Sequence, residues 1–239
     1  MIGILRYHSP SLVALTASTN RAEEDNGLYK DIYFDDLLRY VQHPFKIEHI
    51  NNPLYLSRSK AALIRSNITT TGINSITSLM MRIRRSDSYH STADALYKIV
   101  EQYFPGILSL DVILRIFSYF HWNRRVYSAL LGYLQPEMLV MQTAYTRHEV
   151  VAAAREYKIK VIEFQHGIID RHHPGYSWLH SAQPYKTQIP LPDRIYLYGE
   201  HWKKELEYNQ FWDQELRIRS LPKPAPGGCH HRPAPPRRL

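Results

Sequence analysis

The rhythm of apolar positions changes near residue 136. Before it they recur mostly at helical spacing; after it they gather in short runs of strand length. Residues 31–41 carry Ile32, Leu37, Leu38 and Val41 and predict a helix. Residues 45–50 alternate apolar and polar side chains, as a half-buried strand does. Further helices are predicted over 73–83, over 91–104 ahead of Pro105 and Gly106, and over 109–135. In the last, Ile113, Ile116, Phe117, Phe120, Val126, Leu130 and Leu134 keep helical spacing, and the polar stretch 120–125 allows a break. Residues 1–30 read as irregular, because Ser9 with Pro10, Ser18 to Asn20, and Asp25 to Gly27 are turn signals.

Beyond Pro136, residues 138–143 form a short apolar run and 147–157 an alanine-rich helix with Val150, Val151 and Ala154 on one face. Residues 160–165 form a second run. Strand, helix and strand within about 30 residues make a βαβ unit, parallel and right-handed. A proline-containing loop leads to a third strand over 193–199, a helix over 200–211 and the start of a fourth strand at 215–219. The expected fold is α/β. A mostly helical amino-terminal region (1–135) packs on a Rossmann-like parallel βαβ region (136–220), followed by a disordered tail (221–239).

The 239 residues are 44% hydrophobic and 22% charged, so a packed core is expected over most of the length. No apolar run is long enough for a membrane span, and residues 1–7 do not read as a secretory signal. One cysteine, Cys229, excludes an intrachain disulfide framework and a multi-cysteine zinc site, which suits a reducing compartment. Half of the net charge of +8 sits in the tail, where Lys223, Arg232, Arg237 and Arg238 face no acid. That tail holds six of the fifteen prolines and few aliphatic side chains, too little apolar surface to order itself.

The stretch 161–176 carries the candidate chemistry. The apolar run Val161 to Phe164 breaks into Gln165, His166 and Gly167, and His172, His173, Pro174, Gly175 and Tyr176 follow. Polar groups at the carboxyl end of a parallel strand face the crevice where α/β proteins bind ligands. A neutral imidazole at His166 can accept a proton from a substrate hydroxyl, and Gly167 lets backbone approach closely. Strand alternation puts Glu163 on the opposite face from His166. The plainer alternatives are a turn histidine and a Pro-Gly turn. A zinc site from His166, His172, His173 and His180 lacks a His-Glu-x-x-His spacing, so no metal is expected. Gly199 before Glu200 makes either an anion-binding helix start or a tight turn. The acidic and aromatic run from Asp25 to Asp36 offers a hydroxyl or metal ligand, or a helix cap.

The stretch 136–218 resembles the amino-terminal half of bacterial GT-B-type glycosyltransferases of surface polysaccharides, including capsule and teichoic-acid-like enzymes. The likeness lies in the strand, alanine-rich helix and strand leading to Gln165, His166 and Gly167, and in the strand Pro192 to Gly199. It covers roughly a third of the chain. The resemblance implies a two-lobed enzyme whose amino-terminal lobe holds the acceptor and whose other lobe binds a nucleotide-sugar donor. His166 matches the proposed base and Gly167 its partner glycine. The composition break near Arg219 to Pro222 departs from the family, where a second lobe would follow. The expectation is a truncated frame, or a separately encoded donor-lobe subunit, with no cofactor bound by this chain.

The leading expectation is therefore a glycosyltransferase-like protein. His166 is its catalytic base, and Gln165, Gly167, His172, His173 and Tyr176 bind a saccharide or lipid-linked acceptor. Its expected place is the cytoplasm, with peripheral contact at the inner membrane face, and no nucleic acid as partner. One alternative is a non-enzymatic module that binds nucleic acid or anionic membrane through Arg82, Arg84, Arg85, Arg124, Arg125 and the tail. Another is a histidine-based metallohydrolase.

Overall fold

The computed structural model describes residues 9–24, 26–50, 60–83, 89–208, 210–212 and 218–220, the last three by backbone alone. The expectations for residues 221–239, Cys229, Asp25, Arg84 and Arg85 lie outside the described residues. Among the described residues the strands are β1 (Leu12–Ala17), β2 (Arg21–Glu23), β3 (Tyr29–Asp31), β4 (Phe45–His49), β5 (Ile68–Thr69), β6 (Met138–Met141), β7 (Lys160–Phe164), β8 (Arg194–Leu197) and β9 (Ile218–Ser220). The α-helices among them are α1 (Asp35–Leu38), α2 (Thr70–Ile83), α3 (His90–Tyr103), α4 (Leu110–Leu134), α5 (His148–Glu156) and α6 (Glu200–Glu207).

Seven strands form one parallel sheet in the order β5-β4-β1-β6-β7-β8-β9, and β2 pairs with β3 in a separate antiparallel ribbon. The chain starts at the centre, moves outward through β4 to β5, then crosses to β6 on the other flank of β1 and moves outward again. Neighbours β1 and β6 are thus reached in opposite directions, which makes a topological switch point between them. The α/β class and the Rossmann-like βαβ lobe stand as expected. The boundary at 135 marks a change of element within this sheet, because β1 and β4 belong to it with β6 and β7.

Three readings of the first 135 residues change. β1 lies within the stretch read as irregular: six residues between turn signals, all but the last buried. The helix expected over 31–41 shortens to α1, because the Asp31 carboxylate accepts from the backbone N–H of Tyr33 (3.0 Å) and Phe34 (3.2 Å) and holds a turn there. β4 is buried on both faces, since Lys46 forms ion pairs with Asp31 (3.2 Å) and Asp35, and Glu48 pairs with Arg21 (2.6 Å). Asp31 and Asp35 are thereby committed to Lys46, and no ligand cluster forms among the described residues of the acidic run.

Helix α4 runs unbroken through 120–125. Ser109 caps its start, its side chain accepting from Val112 N at 3.3 Å, and Gln135 ends it in the left-handed region at φ 45°. The polar middle continues because Asn123 is buried and satisfied. It accepts from Thr77 Oγ1 (3.0 Å) and donates to Glu149 Oε1 (2.9 Å). One sheet face packs Val13, Leu15, Phe45, Ile47, Leu139, Met141 and Val161 against α2, α4 and α5; the other packs Leu12, Ala14, Val140 and Ile162 against Phe34 and Leu38. Among the described residues no helix is long and apolar enough to cross a membrane.

Candidate functional site

A cleft of 590 Å³ opens at the carboxyl edge of the sheet, over the switch point. Its floor is the end of β1 (Leu15, Thr16, Ala17) and of β6 (Met141, Gln142). Its walls are Thr19 and Asn20 after β1, His49 ending β4, Thr143, Thr146 and Arg147 between β6 and α5, His166 after β7, and Tyr119 from α4. Seven parallel strands leave their carboxyl ends together, and the crossing between β1 and β6 parts the loops there, so the cavity follows from topology.

His166 is the one member of the candidate set that lines this cleft. Its ring stacks on Tyr145 at 5.9 Å, and its backbone carbonyl accepts from the Tyr33 hydroxyl at 2.8 Å. Nδ1 is buried and has no hydrogen-bond partner. Burial lowers the imidazole pKa, the contact with the Gln142 backbone opposes this, and the neighbouring His173 lowers it further. The lowered pKa favours the uncharged ring at neutral pH.

The other candidates support His166 or stand apart. Gln165 is buried and its amide is used in full: Oε1 accepts from Tyr198 N (2.8 Å) and Nε2 donates to the Gly167 carbonyl (2.7 Å). It staples the ends of β7 and β8 and so fixes the turn that carries His166. Gly167 is exposed, with open space where a Cβ would stand. His172 is exposed, its backbone N–H donating to Asp170 (2.9 Å). His173 packs edge-on to Tyr145 at 5.0 Å and against Tyr176 at 4.8 Å. Tyr176 is 2% exposed, its hydroxyl donates to Glu163, and it lies outside the cleft lining.

Glu163 does lie away from His166, as alternation requires. Its Oε1 also accepts from Ala144 N at 3.0 Å, and burial pushes its carboxyl up to about 8. A chain of packed groups thus runs Glu163, Tyr176, Tyr145, His166. Its first members set the position of the last. Among the described residues no group of three or more His, Cys, Asp or Glu gathers as a metal site. Gly199 precedes α6, outside the cleft lining. Arg124 pairs with Glu156 (3.4 Å), and Arg125, which is exposed, lies over the Trp122 ring.

Sequence reasoning missed Thr16, Asn20, His49, Tyr119, Gln142 and Arg147, because topology alone brings these distant positions together. Arg147 did leave a local signal: a cation before the first turn of a helix opposes the helix dipole, and a local rule broken in this way points to a functional position. No protein-family model, no curated protein and no solved structure matches the chain.

Proposed function

We propose that this chain is the acceptor-side lobe of a glycosyltransferase-like group transferase, with His166 as its general base. The observation that carries the reading is the neutral, half-buried imidazole of His166, whose unpartnered Nδ1 lies at a polar cleft over the switch point. In the reaction an acceptor hydroxyl binds in the cleft and donates its hydrogen to Nδ1. Its oxygen attacks the anomeric carbon of a nucleotide-linked sugar. The new glycosidic bond forms as the bond to the phosphate leaving group breaks, and the proton passes to His166. Tyr145 and the Tyr33 hydroxyl hold the ring and its backbone in place. Asn20, Thr143 and Thr146 supply hydrogen-bonding groups suited to a hydroxyl-rich acceptor.

The test is calorimetric titration of the native protein and of His166→Asn with oligosaccharide acceptors and with nucleotide sugars. The reading expects the native protein to bind an acceptor and no nucleotide sugar, and expects acceptor affinity to fall about 3–10-fold in the variant, with the same unfolding temperature. Equal acceptor affinity in both proteins contradicts it, as does binding of a nucleotide sugar without any acceptor.

A further inference from the structure

The cleft carries one formal charge, and it is positive. Its lining includes no aspartate or glutamate. Of its basic groups, His49 is held neutral at a pKa of about 4, by burial and by the adjacent Arg147. Its Nδ1 is taken by Thr70 Oγ1 at 2.7 Å. Arg147 remains as the cation. We propose that the ligand of this cleft is an anionic hydroxyl compound, a sugar bearing a phosphate or carboxylate, whose charged group is bound by Arg147 beside the first turn of α5. The proposal rests on the reading of the cleft as the acceptor site and names the acceptor's class.

Three observations converge. Arg147 directly precedes the nine-residue α5, and its carbonyl accepts from Val150 N (3.0 Å) and Val151 N (3.2 Å). The start of that helix, its positive dipole end, therefore borders the cleft that Arg147 lines. Second, the guanidinium has five N–H donors and few partners. Nη1 is 4.0 Å from Glu149 Oε1, an ion pair beyond hydrogen-bond length, and the Tyr119 phenol, His49 and Tyr127 are neighbours. Glu149 is itself held by Asn123, and burial pushes its carboxyl up, which weakens the counter-charge.

The third observation is independent of the helix. Thr16 and Gln142 both line the cleft, are more than nine-tenths buried, and end in atoms without a partner, Thr16 Oγ1 and Gln142 Nε2. Gln142 Oε1 accepts from Asn20 Nδ2, so the free end of that amide is its donor end. A buried donor without a partner is costly unless a ligand meets it. Oxygen-rich anions accept from such donors and from guanidinium at once.

Calorimetric titration with glucose 6-phosphate, glucuronate, glucose and inorganic phosphate tests the proposal. Both anionic sugars are expected to bind at least about 10-fold tighter than glucose, with the advantage shrinking as salt rises. Arg147→Met should abolish that preference and Arg147→Lys should restore part of it. Thr16→Val, which removes a hydroxyl that has no partner in the fold, should lower anionic-sugar affinity about 3–10-fold without loss of stability; it keeps the test decisive if Arg147→Met does not fold. Equal binding of glucose, or a preference that survives both Arg147→Met and Thr16→Val, overturns the proposal. Inorganic phosphate binding as tightly as glucose 6-phosphate overturns the acceptor assignment in favour of a free anion. These outcomes are separate from the fate of His166: His166→Asn weakens charged and neutral sugars alike, Arg147→Met removes the preference between them.

Discussion

At the scale of single residues, Glu163 is the group whose protonation most affects the site's frame. It is fully buried in β7, has no cation beside it, and its Oε2 has no partner. Burial holds its carboxyl at about 8, while the same group in the unfolded chain titrates near 4.5. Between those values the folded protein binds more protons than the unfolded one, so stability falls as pH rises through this window and levels above it. The slope amounts to at most about 1.4 kcal/mol per pH unit. Glu163→Gln keeps an acceptor for Tyr176 and Ala144 N and removes the titration. Urea unfolding from pH 5 to pH 8 should show the native protein losing stability relative to the variant as pH rises. An unchanged slope would remove Glu163 from the account. The sequence indicated which face Glu163 occupies; it gave no sign of the tyrosine that closes over it.

At the scale of elements, the loop after β7 is shaped by contact with Tyr145. A Cβ on Gly175 would overlap the Tyr145 ring, so glycine is required there by packing. Gly175→Ala should cost about 1–3 kcal/mol as overpacking does, and should also displace Tyr145 from His166. Thermal unfolding together with a change in tyrosine near-ultraviolet dichroism checks this; a variant as stable as the native protein contradicts it. Elements with strong periodicity, α2, α3, α4 and α5, were legible in sequence, as were β6, β7 and β8. β1 was not, because a six-residue run, apolar except for Thr16, carries no alternation when both faces are buried. β4 read as half-buried because Lys46 and Glu48 look solvent-facing until their buried partners Asp35, Asp31 and Arg21 are known.

At the scale of the whole molecule, strand order decides where chemistry can occur. Placing β1 inside the sheet with β4 and β6 on its two flanks opens the sheet's carboxyl edge at one point, and residues as distant in sequence as Leu15 and His166 meet there. Local pattern located His166, since strand, polar tip and glycine are contiguous. It could not locate Arg147, Gln142 or Thr16, whose meeting depends on the crossover through α2, α3 and α4. The same topology gives His166 its burial, and with that burial its neutral ring. Titration of the His166 imidazole by nitrogen-resolved NMR, assigned with His166→Asn and repeated with saturating glucose 6-phosphate, tests this most directly. The account predicts a midpoint below the ordinary 6.5 and ring resonances that move on binding. A midpoint at or above 6.5, with resonances indifferent to the ligand, would contradict it.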